Sequence, residues 1–154
     1  LLDSLRMKEL LAQKLQIHES SINAYIIGEH GDHQFPAWST AEIGGKPLRE
    51  FTQITTSDLQ GIAEATRNKA YEIIACKGST FYGIATCVAR LCHAIIFDEK
   101  QIMPLSCYIE SLDVYLSMPA VLGSSGIEQI IQIPLNDEEQ QQFNYCAREL
   151  KRAL

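Results

Sequence analysis

Gly28-Glu29-His30-Gly31-Asp32-His33-Gln34-Phe35-Pro36-Ala37-Trp38-Ser39 is the stretch that decides how this chain is read. It follows Ala24-Tyr25-Ile26-Ile27, an apolar run without alternation, which predicts a strand over residues 22–27 covered on both faces. Two glycines, two histidines and a proline then fall within a few residues. Glycine permits backbone shapes that other residues resist, and proline ends regular pairing. The pattern fits a histidine carried to the tip of a shaped loop by a fixed strand, where reactive groups are disproportionately found. Taken alone, it fits equally a polar turn that happens to contain histidine.

Upstream, Met7, Leu10, Leu11 and Leu15 recur at helical spacing, which predicts a helix over 3–16 capped by Asp3 or Ser4. Residues 17–21 read as a polar turn. Asp3 and Arg6, three apart, lie on adjacent faces of the first turn; by themselves they are an ordinary capping acid and a surface base. Downstream, Ser39–Ile43 reads as a short strand and Gly44-Gly45-Lys46-Pro47 as a turn. Ser57-x-x-Gln60 is a capping-box spacing. The helix it opens carries Leu59, Ile62, Ala63, Thr66, Ala70, Ile73 and Ile74 on one side, and Gly78 is placed to end it.

A helix from about Thr80 to Phe97 is apolar round most of its circumference, which predicts burial in the core or against another subunit. Strands at 102–109, 114–121 and 127–133, with the turn Gly123-Ser124-Ser125-Gly126, read as antiparallel neighbours. Asn136 caps a last helix, with Glu139 three residues on and an apolar stripe of Phe143, Cys146, Ala147, Leu150 and Leu154. Its Glu-Gln run 138–142 reads as a solvated face. Helices and strands are segregated, which predicts an α+β fold of antiparallel strands packed with long helices.

The 154 residues suit one domain, and 46% are hydrophobic, enough for a sizeable core. A net charge of −6 without a basic cluster argues against nucleic acid as partner. No apolar run approaches the roughly 20 residues of a membrane span. Five cysteines, an odd number without a C-x-x-C pair, sit mostly among apolar neighbours and read as free buried thiols of a cytoplasmic protein. The glycine fingerprint of dinucleotide binding, G-x-G-x-x-G, is missing. The chain opens without Met and inside an element, and is read as a fragment of a longer protein.

Leu2-Asp3-Ser4-Leu5-Arg6, Gly28-Glu29-His30-Gly31-Asp32, Pro36-Ala37-Trp38-Ser39, Lys77-Gly78-Ser79-Thr80-Phe81-Tyr82-Gly83-Ile84-Ala85 and Tyr115-Leu116-Ser117-Met118-Pro119-Ala120-Val121-Leu122-Gly123 occur in this order. Together they resemble the carboxy-terminal half of the lactate and malate dehydrogenase family. Within it, they look more like L-lactate or L-2-hydroxyisocaproate dehydrogenases than malate dehydrogenases. The resemblance implies that residues 1–154 are a single catalytic and substrate-binding domain, and that the dinucleotide-binding domain is absent from this chain. It implies NAD as cofactor, a small 2-hydroxy or 2-oxo acid as substrate, and a homodimer or homotetramer as the intact enzyme, which this chain alone would not replace catalytically.

By the same resemblance, His30 is the acid–base, Asp3 its orienting partner, Arg6 the grip on the substrate carboxylate, Thr80 a pocket hydroxyl and Ile84 the apolar wall against the nicotinamide. The chemistry suits these residue types. Oxidising a 2-hydroxy acid removes a proton from oxygen near neutral pH, which histidine can accept. A guanidinium offers a carboxylate two parallel donors. Some bacterial members respond to fructose 1,6-bisphosphate through two basic positions that hold Lys8 and Asn23 here, which implies little activation. The connection Glu110-Ser111-Leu112-Asp113 looks shorter than in the family.

Two readings of other classes stand beside this one. One is a binding or oligomerisation module without catalysis. The other is a metal hydrolase using His30, Asp32 and His33; a metal is not expected, because sites of this kind need three or four placed ligands. Glu29 and Asp32 are read as shaping the loop, His18 as a turn residue and His93 as a packing residue.

Overall fold

A computed structural model describes residues 1–153. Helix α1 spans Leu2–Leu15 and strands β1 (Ile22–Asn23), β2 (Ile26–Ile27) and β3 (Phe35–Pro36) follow. Next come β4 (Glu42–Ile43), β5 (Lys46–Pro47), α2 (Thr56–Lys77) and α3 (Phe81–Ile96). Strands β6 (Gln101–Ile109), β7 (Val114–Gly123) and β8 (Gly126–Ile130) then lead to α4 (Asp137–Ala153). Every strand pair is antiparallel, in sheets ordered β1-β4-β5, β2-β3 and β6-β7-β8. This is the expected α+β architecture.

The predicted strand 22–27 is broken in two. Ile22 and Asn23 pair with Ile43 and Glu42, whereas Ile26 and Ile27 pair with Pro36 and Phe35. The expectation of two covered faces holds for β2, because neighbouring strand residues point to opposite sides. Ile26 joins a core with Met7, Leu11, Ile22, Ile43, Leu48 and Ile62, between α1, α2 and the small sheet. Ile27 joins a second core with Phe35, Leu116, Met118, Phe143 and Cys146, between β7 and α4. Residues 38–40 form a 3-10 turn rather than strand, leaving only Glu42–Ile43 to pair.

Caps decide several element ends. Neither Asp3 nor Ser4 caps α1: Leu1 holds that position, without a side-chain bond. Ser4 instead accepts from the Ile26 amide at 2.9 Å, and Asp3 is engaged elsewhere. The capping box of α2 is Thr55 with Asp58, not Ser57 with Gln60. Both pairs have the same spacing, but an aspartate at the third position reaches back to the Thr55 amide at 2.9 Å. Gly78 ends the helix in the left-handed conformation, as expected. Asn136 and Glu139 exchange side-chain-to-backbone bonds at the start of α4, also as expected. Glu139 is not on a solvated face, however. It is buried, and it accepts from the Ser39 amide at 2.9 Å and from the Ser39 hydroxyl. The stripe of α4 is buried at Phe143, Cys146 and Ala147, while Leu154 lies outside the described residues.

Helix α3 departs most from expectation. Only Cys87 and Ala94 are buried, and Phe81, Tyr82, Ile84, Val88, Ile95 and Ile96 face outward. The core reading of this helix is therefore wrong for this chain: no other described element lies over its outer face. Three cysteines, Cys87, Cys107 and Cys146, are buried and free, while Cys76 and Cys92 are exposed. Among the described residues, no helix is long and apolar enough to cross a membrane.

Gly28 sits where the two cores meet. Its amide donates to the Ser117 carbonyl at 3.2 Å, and its carbonyl accepts from the Ser117 amide at 2.7 Å. Its φ is +91°, and a Cβ there would stand 2.8 Å from the Cys146 sulfur. Both observations demand glycine. Gly28→Ala is expected to cost about 2–4 kcal/mol, from left-handed strain plus overpacking, measured by denaturant unfolding. In a Cys146→Ala background the loss should shrink, because the clash is removed.

Asp58 also gives a pH signature. The bond from Lys14 Nζ (2.7 Å), then those from Thr55, hold its carboxyl down to about 2. The folded value lies below the unfolded one, so this stabilisation is present above about pH 4 and fades as pH falls through the folded value. Asp58→Asn should therefore lower Tm near neutral pH, and the gap to the parent should close in acid, toward pH of about 2.

Candidate active site

Helix α1 and the loop after β2 meet because β2 is held from both sides. Ser4 binds the Ile26 amide, and Ser117 of β7 binds Gly28. Asp3, beside Ser4, is thereby brought to His30, two residues beyond Gly28. The Asp3 carboxylate divides its oxygens. Oδ1 accepts from Arg6 Nη1 at 3.0 Å, and Oδ2 lies 3.2 Å from His30 Nδ1. The ring nitrogen that faces the carboxylate is therefore Nδ1, which leaves Nε2 as the nitrogen without a contact to Asp3. The Asp3 side chain is 11% exposed and that of Arg6 16%, whereas His30 is 90% exposed. His30 is thus open to a ligand, and the carboxylate beside it is sheltered.

The loop itself is fixed by its neighbours. Glu29 accepts from the His33 amide at 3.2 Å, which folds residues 29–33 into a turn. The Cys146 thiol donates to the His33 carbonyl at 3.1 Å, and burial pushes that thiol up, which keeps it protonated. The His33 ring meets Tyr145 of α4 edge-on, with centroids 5.0 Å apart. His33 therefore belongs to the packing of the loop on α4, while His30 faces the cavity. Among the described residues, no group of three His, Cys, Asp or Glu side chains is placed to hold a metal.

A cavity of about 340 Å³ unites the site, and Asp3, Arg6, His30, Thr80 and Ile84 all line it. Thr80 is the N-cap residue of α3, yet its side chain makes no capping bond, so its hydroxyl is not committed to the helix end. Ile84 stands one turn further on and is half exposed. The cavity also has lining that the sequence reading missed: Gln34 of the loop, and Arg67, Ala70 and Tyr71 of α2. The signal for the last three was their i, i+3, i+4 spacing, which puts them on one helix face. Ala70 lies in the periodic stripe of α2 yet faces the cavity, so its apolar pattern does not mark that face.

Other polar residues have structural partners. His18 accepts from the Ser20 amide and closes the turn after α1. His93 lies 2.9 Å from Glu99 and against the Phe97 ring. Lys8 is displaced below its ordinary value by burial first and by Arg90 second, and its ammonium lies 5.7 Å from the Tyr25 ring centre. Asn23 is exposed on β1.

Residues 1–154 match the family described as "lactate/malate dehydrogenase, alpha/beta C-terminal domain". An L-lactate dehydrogenase of Lacticaseibacillus casei is 42% identical over 161 aligned positions, covering 99% of this chain and 49% of that protein. The crystal structure of a minor L-lactate dehydrogenase from Enterococcus mundtii superposes with a TM-score of 0.94 at 33% identity, covering 98% of this chain and 51% of the other. A malate dehydrogenase from Aeropyrum pernix gives a TM-score of 0.89 at 33% identity, covering 98% and 52%. The chain spans about half the length of the curated relatives it matches. With the fold, the order of its motifs and these matches in agreement, the chain belongs to the lactate/malate dehydrogenase family, as its α/β carboxy-terminal domain.

Proposed function

We propose that this chain is the catalytic and substrate-binding domain of an NAD-dependent L-2-hydroxy acid dehydrogenase, with L-lactate as substrate. The observation that carries the reading is the shared carboxylate of Asp3, with Arg6 on one oxygen and His30 on the other, inside one cavity with Thr80 and Ile84. Lactate rather than malate or L-2-hydroxyisocaproate is favoured by the names of the relatives at 40–42% identity. Small pocket differences decide between such acids, so the choice rests on those names and not on this cavity.

In this reading, His30 Nε2 takes the proton of the substrate hydroxyl, and Asp3 stabilises the imidazolium that results. Arg6 turns its remaining donors to the substrate carboxylate, and its planar fork fixes the orientation of the acid. Thr80 offers its uncommitted hydroxyl to the substrate. NAD, when bound, supplies a hydride acceptor at the substrate carbon. Ile84 fits a flat aromatic amide, since it is an apolar side chain half open on the same cavity. The chain contains no G-x-G-x-x-G stretch, so we assign the main nucleotide-binding surface to a domain outside these residues. The uncovered apolar face of α3 supports assembly with such a domain or with further subunits of a cytoplasmic homo-oligomer.

In the enzyme that contains this domain, Arg6→Lys should lower kcat/KM for lactate by about 10- to 100-fold, because a point charge replaces a bidentate grip. Unchanged steady-state kinetics would dismiss that role. His30→Gln should reduce turnover by about 10²- to 10⁴-fold while NADH binding, followed by fluorescence, persists. Retained turnover would favour the non-catalytic module instead.

A further inference from the structure

The cavity holds more charge than the reaction needs. Two carboxylates line it, Asp3 from α1 and Asp32 from the loop, and two guanidiniums, Arg6 from α1 and Arg67 from α2. Asp3 and Arg6 neutralise one another at 3.0 Å. Lys69, on the neighbouring part of α2, is paired with Glu72 at 2.9 Å. Arg67 has no ion-pair or hydrogen-bond partner among the described residues, and its side chain is exposed where it borders the cavity.

The placement of Arg67 follows from the helix. Ile62 and Thr66 are the buried residues of α2, and Thr66 is fully covered, with its hydroxyl on the Ile62 carbonyl at 2.7 Å. They fix the rotation of the helix. Arg67, Ala70 and Tyr71 then share the face toward the cavity, and the small side chain of Ala70 leaves the opening between the two large ones clear.

We infer that Arg67 is the charge that lets this cleft admit an acid: it recruits the anionic substrate to the cavity, and Arg6 then holds it. Without Arg67 the acids and guanidinium that line the cavity are two carboxylates against one guanidinium, an excess of negative charge that disfavours a carboxylate. The whole chain, at −6, adds to that repulsion. Recruitment by an unpaired, exposed cation works over distance and needs charge rather than fork geometry. Lysine would therefore serve at position 67, although it fails at position 6.

The inference rests on the cavity being the acid-binding site proposed above. The test is a titration of the isotope-labelled chain with sodium pyruvate, following the His30 and Arg6 side-chain resonances by NMR. It is run at ionic strengths of about 10 mM and about 200 mM, where the screening length falls from about 30 Å to under 10 Å. At low ionic strength Arg67→Gln should weaken pyruvate binding about three- to fivefold, as for an exposed charge pair, and Arg67→Lys should not. The difference should collapse at high ionic strength, and neutral hydroxyacetone should bind both forms alike. Three outcomes would overturn the inference: an Arg67→Gln affinity equal to the parent at low ionic strength, an equal loss for hydroxyacetone, or pyruvate leaving these resonances unmoved in the unsubstituted chain. Arg6→Gln separates the two readings. Pyruvate binding that survives that substitution dismisses the grip assigned to Arg6, whereas the response of Arg67→Gln bears on recruitment alone.

Discussion

The backbone exchange between Gly28 and Ser117 is the contact on which the rest of this structure depends. Two hydrogen bonds, at 3.2 and 2.7 Å, join the stem of the histidine loop to the central strand of the large sheet. On the other side of the same short strand, the Ser4 hydroxyl takes the Ile26 amide. A two-residue strand has little stability of its own, yet this one is buried on both faces and bonded from both sides. It fixes α1 relative to β7, and therefore Asp3 relative to His30. Glycine is required at the junction because the Cys146 sulfur of α4 occupies the place of a Cβ. The loop is thus squeezed between β7 and α4, and its tip is defined by packing that lies well away from the cavity.

Asp3 turns that mechanical arrangement into chemistry. A buried carboxylate is costly unless its oxygens are satisfied by charged or polar partners. Here the partners are Arg6 and His30, the two groups that an acid substrate would meet in the proposed function. Removing Arg6 or His30 would leave an oxygen of Asp3 without its partner, so the three side chains act as one unit and their substitutions should not be additive. The same division also sets which nitrogen of the histidine meets the carboxylate, because Oδ2 faces Nδ1. In the proposed function, the choice between the two ring nitrogens is therefore made by the first turn of α1, some 27 residues before the histidine.

What was legible in the sequence was mostly local. The Asn136–Glu139 box and the Gly78 stop depend on a few consecutive residues, and the structure has both. Local signals fail where two of them compete: Thr55–Asp58 and Ser57–Gln60 have equal spacing, and only the side-chain geometry of Asp58 separates them. The motifs around Asp3, Arg6 and His30 were readable as a set, although nothing in their spacing says that Asp3 would serve both others. Contacts across long separations left no mark. Ser39 and Glu139 are bonded 100 residues apart, so Glu139 read as one acid in a solvated run. Likewise, the break between Asn23 and Ile26 follows from two different partners, Glu42–Ile43 and Phe35–Pro36, that a continuous apolar run cannot distinguish. The contribution of α2 to the cavity was hidden for a related reason. Periodicity marks which residues are apolar, but not where along a 22-residue helix the core stops.

That end of the core matters for the site. Burial along α2 stops at Thr66, and from there Tyr71, Ile74 and then Phe81, Tyr82 and Val88 of α3 are open. Tyr71 and Ile84 line the same cavity as His30, so the histidine lies at the edge of the exposed apolar surface rather than inside the core. A side chain that is 90% exposed, as His30 is, sits in a medium close to bulk water, where charges are weakly felt and water competes for every donor. A surface that covered Ile84 and Tyr71 would also shield His30, because all three line one cavity. Burial of that apolar surface and exclusion of water from the reacting groups are then a single event, and the free energy of the first offsets the cost of desolvating the second. In the proposed function, the open face of α3 belongs with the site: a surface docked there would strengthen the Asp3–His30 contact and the grip proposed for Arg6.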